Sequence, residues 1–151
     1  MSGDKPSVLV LDGPNLGALG RREPGVYGPG SHDDLVRSIE AWAVELGMSV
    51  ETAQHDDEGG MIGAIWRASG RLDALIVNPG GYSHGSIAIQ DAMQGFDGPV
   101  IEVHLSQVMA REPERRVLVT ARAADALICG AGPAGYRLAM ELARDMITKR
   151  S

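Results

Sequence analysis

Five short apolar runs alternate with longer segments of helical spacing, and this alternation constrains the fold more than anything else in the chain. Residues 7–11 (SVLVL) are almost entirely apolar and stop at Gly13-Pro14, as expected of a parallel strand covered on both faces. A helix is expected from Ser31 or His32, because Leu35, Ile39, Trp42, Ala43 and Leu46 recur at helical spacing and Gly47 ends the run. The same reading predicts strands over 49–53, 72–77, 100–104 and 125–129, and helices over 58–69, 86–93 and 133–148. Strands that alternate with helices at this spacing make right-handed βαβ units on a parallel sheet. Five of them predict an α/β chain with a flavodoxin-like, doubly wound sheet in three αβα layers.

The 151 residues suit one domain, with a core over about 7–148 and no internal repeat or linker. A hydrophobic share of 44% against 23% charged residues reads as soluble and globular. A net charge of −6 leaves no basic stripe for phosphates, so no nucleic-acid partner is expected. No apolar stretch approaches the roughly 20 residues of a membrane span. The first residues lack the pattern of a signal peptide, which makes the cytoplasm the expected compartment. Only two lysines occur, Lys5 and Lys149, each beside a terminus. Schiff-base chemistry needs a lysine desolvated in a pocket, so imine catalysis and pyridoxal phosphate are not expected. Cys129, the single cysteine, lies in an apolar run and reads as an inert buried side chain. The histidines and acids show no clustered ligand spacing, so no metal is expected.

Open α/β sheets bind ligands beyond the carboxyl ends of their strands. Asn15 follows the first strand, Asn78 closes the third, and His104 and Ser106 follow the fourth. Asn15 and Asn78 are the only asparagines. Each alone would pass for a turn former; together at converging strand ends they suggest a pocket. Residues 17–28 hold four glycines, Arg21 and Arg22 ahead of Tyr27, the composition of a hinged lid. A phenol ionises near pH 10, and a guanidinium folded against it would lower that value toward the range of a base. Glu102 and His104 share one strand face, where a carboxylate can orient an imidazole. His84 opens a helix as a cap or a substrate ligand, whereas His32 and His55 read as surface or capping residues. Gly130-Ala131-Gly132-Pro133-Ala134-Gly135 matches a dinucleotide fingerprint in letters only. Too little chain follows to complete the unit, so it reads as a tight strand-to-helix turn. The long, arginine-rich stretch 105–122 reads as a functional loop.

Four ordered motifs carry a resemblance: Gly13-Pro14-Asn15-Leu16; Arg21-Arg22-Glu23-Pro24 with Tyr27-Gly28; Asn78-Pro79-Gly80-Gly81-Tyr82-Ser83-His84; and Glu102-Val103-His104-Leu105-Ser106, followed by Ala110-Arg111-Glu112. From about Val8 to Ile147 the chain resembles the type II 3-dehydroquinate dehydratases of the shikimate pathway. The resemblance implies a cofactor-free trans-dehydration of 3-dehydroquinate through an enolate. It implies that Tyr27 is the base, that Arg22 favours its phenolate and that Asn15 holds the oxygen or water at the enolate. His104, oriented by Glu102, would protonate the departing hydroxyl. Asn78, Leu105 and Ser106 would bind the substrate carboxylate, and His84 and Arg115 the ring hydroxyls. Asp91 would reach a neighbouring subunit's site in a homododecamer built from trimers. A diverged lyase acting on a related polyhydroxy acid, or a silent binding module of the same fold, are the alternatives.

The chain also departs from the family pattern. Asp12 stands where an Asn is usual, and Gly85 where a Thr is usual. Val117-Leu118 replaces a His-Ser pair, and Gln90, Met109 and Glu114 replace an arginine, a histidine and an aromatic. These changes cluster on the arginine-rich loop and on expected subunit contacts, not on the expected catalytic residues.

Overall fold

The computed structural model describes residues 4–21, 23–27 and 29–150, and at Pro24 and Tyr27 the backbone alone. β1 (Ser7–Asp12), β2 (Ser49–Gln54), β3 (Ala74–Asn78), β4 (Val100–His104) and β5 (Ala126–Cys129) form a parallel sheet ordered β2-β1-β3-β4-β5. Two helices, α1 (Pro24–Tyr27) and α2 (His32–Leu46), separate β1 from β2; α3 (Glu58–Ala68) and α4 (Ile87–Gln94) bracket β3, and α5 (Ala134–Arg150) ends the chain. This is the flavodoxin-like order expected from the alternation, with its topological switch between β1 and β3.

Strand parity divides the core. Val8, Val10, Ala74, Ile76, Ile101 and Val103 face α2 and α5, where Ile39, Tyr136 and Met140 are fully buried. Leu9, Leu11, Leu75, Val77 and Val100 face α3 and α4 and pack on Met61, Ile65 and Ile89. Alternate residues of one strand therefore serve opposite layers. Their parity places Asp12 and Asn78 on the α2/α5 side, and Glu102 and His104 on the other.

The helix ends explain where the sequence reading held and where it shifted. Ser31 is the N-cap of α2: its hydroxyl accepts from the Asp34 N–H, and Asp34 returns the bond to the Ser31 N–H, both at 3.1 Å. Gly47 closes α2 in the left-handed conformation. β3 begins at Ala74, two residues later than expected. The Leu72 amide still bonds to Ala68 O at 2.9 Å, so the end of α3 holds Leu72 in a turn. The stretch 105–122 is not featureless. It winds through three short 3₁₀ turns, the last covering Thr120–Ala123, and the Val119 N–H bonds to Ser83 O at 2.7 Å. The decoy fingerprint is the tight turn expected, with Gly130 and Gly132 at positive φ and α5 starting just past Pro133.

Candidate active site

The loops after β1 and β3 meet at the switch point because glycine lets them. The Gly13 N–H bonds to Asn78 O at 2.8 Å, and a Cβ at position 13 would stand 2.6 Å from Pro79 O. No side chain fits there. Gly80 has φ +62 and packs against Pro14 O, a conformation that glycine tolerates best. Asn15 also sits at positive φ (68°) with its amide bonded to Asp56 Oδ1 at 3.0 Å. It is thus a turn former and a cleft residue at once, since the two roles use backbone and side chain separately.

A cleft of about 110 Å³ opens over these loops, lined by Asn15, Asn78, His84, His104, Leu105, Ser106, Arg111 and Arg115 among others. It suits a compact polar ligand and is well below the roughly 300–1,000 Å³ of drug-sized pockets. Of the eleven expected site residues, seven line it: Asn15, Asn78, His84, His104, Leu105, Ser106 and Arg115. Glu102 lies behind His104. Asp91 is exposed on α4 and does not line the cleft of its own chain. Tyr27 closes α1, and Arg22 lies outside the described residues.

His104 is 6% exposed and Glu102 fully buried. His104 Nε2 is 2.7 Å from Glu102 Oε2, so Nε2–H donates to the carboxylate and Nδ1 is the ring nitrogen that Glu102 leaves unengaged. Glu102 Oε1 accepts the Thr120 hydroxyl at 2.6 Å, and Thr120 is itself fully buried. A buried carboxylate needs donors on both oxygens, and Thr120 supplies the second. Nothing in the spacing of 102 and 120 signals this; the last 3₁₀ turn of the long loop brings Thr120 over β4.

His84 Nδ1 lies 2.8 Å from Val117 O and so carries the hydrogen, leaving Nε2 for the cleft. The partner is a backbone carbonyl, so the unusual side chains at 117 and 118 leave the bond intact. Arg115 Nε donates to Glu112 Oε1 at 2.5 Å. Arg111 also lines the cleft, although its motif by itself signals no role. It reaches Ser106 Oγ at 3.4 Å and Glu23 Oε2 at 3.9 Å, linking the long loop to the segment before α1. Cys129 is half-buried, not buried; burial first, then the nearby Glu102 charge, push its thiol up, which keeps it a poor nucleophile. Among the described residues no three His, Cys, Asp or Glu side chains are grouped as metal ligands, and no helix is long and apolar enough to cross a membrane.

His32 departs from expectation: it is neither a surface residue nor a cap. Its Nε2 meets Asp12 Oδ2 at 2.9 Å beneath the cleft, and that bond raises its pKa above the ordinary 6.5. Partial burial opposes the rise, while the charges of Asp12 and then of Asp33, beside it on α2, add to it. From α5, Tyr136 bonds to the same carboxylate. A histidine whose pKa is raised by folding stabilises the fold fully below its unfolded value, and this contribution fades as pH climbs through the raised folded value. We therefore expect the melting temperature to fall as pH rises from about 6 upward through that value, and His32→Ala to lose this slope. Parallel Tm-versus-pH curves for the two proteins would show that the pair does not titrate this way.

Against known proteins, residues 6–144 match the family model described as Dehydroquinase class II. The chain belongs to this family. It is 44% identical over 139 residues to the 3-dehydroquinate dehydratase of Aeromonas hydrophila, covering 92% of this chain and 93% of that protein. It is also 44% identical to the catabolic 3-dehydroquinase of Emericella nidulans over 135 residues, covering 89% and 88%. Among solved structures, the type II dehydroquinase from Propionibacterium acnes superposes with a TM-score of 0.91 at 42% identity, covering 95% of this chain and 99% of that one. Within the class II dehydroquinase frame, Asp12 is the departure with structural consequences at the cleft. It anchors a buried hydrogen-bond chain to Asn78, whereas Met109, Glu114 and Val117 stay at the surface.

Proposed function

We propose that this protein is a hydro-lyase that removes water from 3-dehydroquinate to give 3-dehydroshikimate, with no cofactor. The observation that carries the reading is the match to the class II dehydroquinases over residues 6–144. The cleft chemistry supports it. A hydroxyl β to a ketone leaves once the α proton is gone, so the reaction needs a base, a brace for the enolate oxygen and an acid for the leaving group. We assign the base to Tyr27, with Arg22 favouring its phenolate, and the brace to Asn15. His104, as the imidazolium, is the acid: Glu102 keeps Nε2–H engaged, so the transferred proton is the second one, on Nδ1, and the neutral Nε2–H ring remains. Asn78, with Leu105 and Ser106, takes the substrate carboxylate. His84, through the nitrogen that Val117 O leaves free, and Arg115 take the ring hydroxyls.

The same reading makes the chain one catalytic domain in a cytoplasmic homododecamer. Asp91 then completes a neighbour's site, which agrees with its exposed position on α4. Ile87, 66% exposed on the same helix, is an apolar surface that such an assembly would cover. The test is direct. Purified protein mixed with 3-dehydroquinate should produce the ultraviolet absorbance of a conjugated enone. Well-folded protein that binds the compound without turnover would point instead to a binding module.

A further inference from the structure

Asp12, His32 and Tyr136 meet beneath the cleft, and none of them lines it. Asp12 pairs in register with Asn78 across β1 and β3, with both side chains toward α2 and α5. Asp12 is 2% exposed and Tyr136 fully buried. Asp12 Oδ1 accepts the Tyr136 hydroxyl at 2.6 Å, and Asp12 Oδ2 faces His32 Nε2 at 2.9 Å. The Tyr136 oxygen lies 3.1 Å from Asn78 Nδ2, and Asn78 Oδ1 accepts the Gly80 N–H at 3.1 Å.

The directions of these bonds follow from one fact: a carboxylate accepts and does not donate. Tyr136 therefore gives its only hydrogen to Asp12, and burial beside that carboxylate keeps the phenol protonated. Its oxygen is left to accept, so the nitrogen end of the Asn78 amide must face it. One amide hydrogen then remains for the cleft. A neutral Asn at position 12 could donate as well as accept and would leave the phenol's direction open. The carboxylate brings a second consequence. A buried anion without a partner is costly, and here it would also lie under a site for an anionic substrate. His32, its side chain 16% exposed, supplies the opposing charge.

We propose that Asp12, Tyr136 and His32 are positioning residues for Asn78: Asp12 and Tyr136 fix its amide N–H toward the cleft, and His32 cancels the Asp12 charge. The anionic substrate in this inference rests on the function proposed above; the bonding pattern does not.

Kinetics with 3-dehydroquinate and thermal melts of wild type, His32→Ala, Asp12→Asn with His32→Ala, and Tyr136→Phe test it. His32→Ala should raise KM about tenfold with kcat within about twofold, and should lower Tm. Adding Asp12→Asn should recover more than half of the Tm loss, because the stranded charge is gone, while KM stays raised, because a neutral Asn no longer fixes the phenol's direction. Tyr136→Phe should raise KM without a matching fall in kcat. An unchanged KM in folded His32→Ala or Tyr136→Phe overturns the relay, as does a Tm loss that Asp12→Asn does not relieve. Should Tyr136→Phe fail to fold, the His32 and Asp12 pair of variants still decides. Should wild type itself not turn over 3-dehydroquinate, the functional reading fails on its own. The relay is then judged on Tm, where it falls if Asp12→Asn does not rescue His32→Ala.

Discussion

Replacing His104 by Gln should lower kcat with 3-dehydroquinate by a factor on the order of 10²–10⁴, the usual loss when a positioned general acid is removed. Gln is the informative substitution because its amide can still donate to Glu102. The buried carboxylate then keeps a partner, with Thr120 on its other oxygen at 2.6 Å, and the fold should survive. The proton on Nδ1 has no counterpart in Gln. The substrate contacts proposed for Asn78, Ser106 and Arg115 are untouched, so KM should change far less than kcat. Steady-state kinetics beside a thermal melt separate these effects. Wild-type kcat in the variant would remove His104 from the proton path.

Tyr27→Phe should cost kcat a similar factor, on the order of 10²–10⁴. The change deletes one oxygen and keeps the ring. Tyr27 closes a four-residue helix in which Gly25 and Val26 are exposed. A melting temperature close to wild type is therefore expected. If the phenolate is the base, Phe leaves no acceptor for the α proton, and binding should persist while turnover collapses. Turnover at the wild-type rate would move the base elsewhere in the cleft and leave the roles of Arg22 and Tyr27 without support.

The first prediction depends on a pair that is legible from spacing, whereas the role of Tyr27 comes from the resemblance to the family. Residues 102 and 104 share a strand face, and the structure joins them at 2.7 Å. The asparagines at two strand ends also converge, because an open parallel sheet gathers its loops at one edge. What spacing did not reveal were partners brought in from other layers. Thr120 sits in a stretch with no helical or strand period, so its place over Glu102 had no local signature. Arg111 was visible as part of a motif, yet its reach to Ser106 and Glu23 depends on how the long loop folds back.

His32 is the instructive miss. At the first turn of α2 beside a Ser cap, its local pattern is that of a helix start, and Ser31 performs that role as expected. The side chain points instead to an aspartate twenty residues earlier, whose second oxygen is held by a tyrosine 124 residues later. In the sequence Asp12 stands out only as a departure from the family pattern.

Local order alone was enough to settle the periodicity of the strands and helices, the parallel sheet and the strand-end positions of Asn15, Asn78, His104 and Ser106. Those properties depend on relations between residues a few positions apart: alternation at two, helical recurrence at 3.6, glycine where backbones touch. Tertiary structure alone decided that Asp12, His32, Tyr136 and Asn78 form one chain of hydrogen bonds, and that Thr120 completes Glu102. Such bonds join β1, α2, α5 and β3, or β4 and a distant loop. Their distances are set by how the layers pack, which no spacing along the chain records.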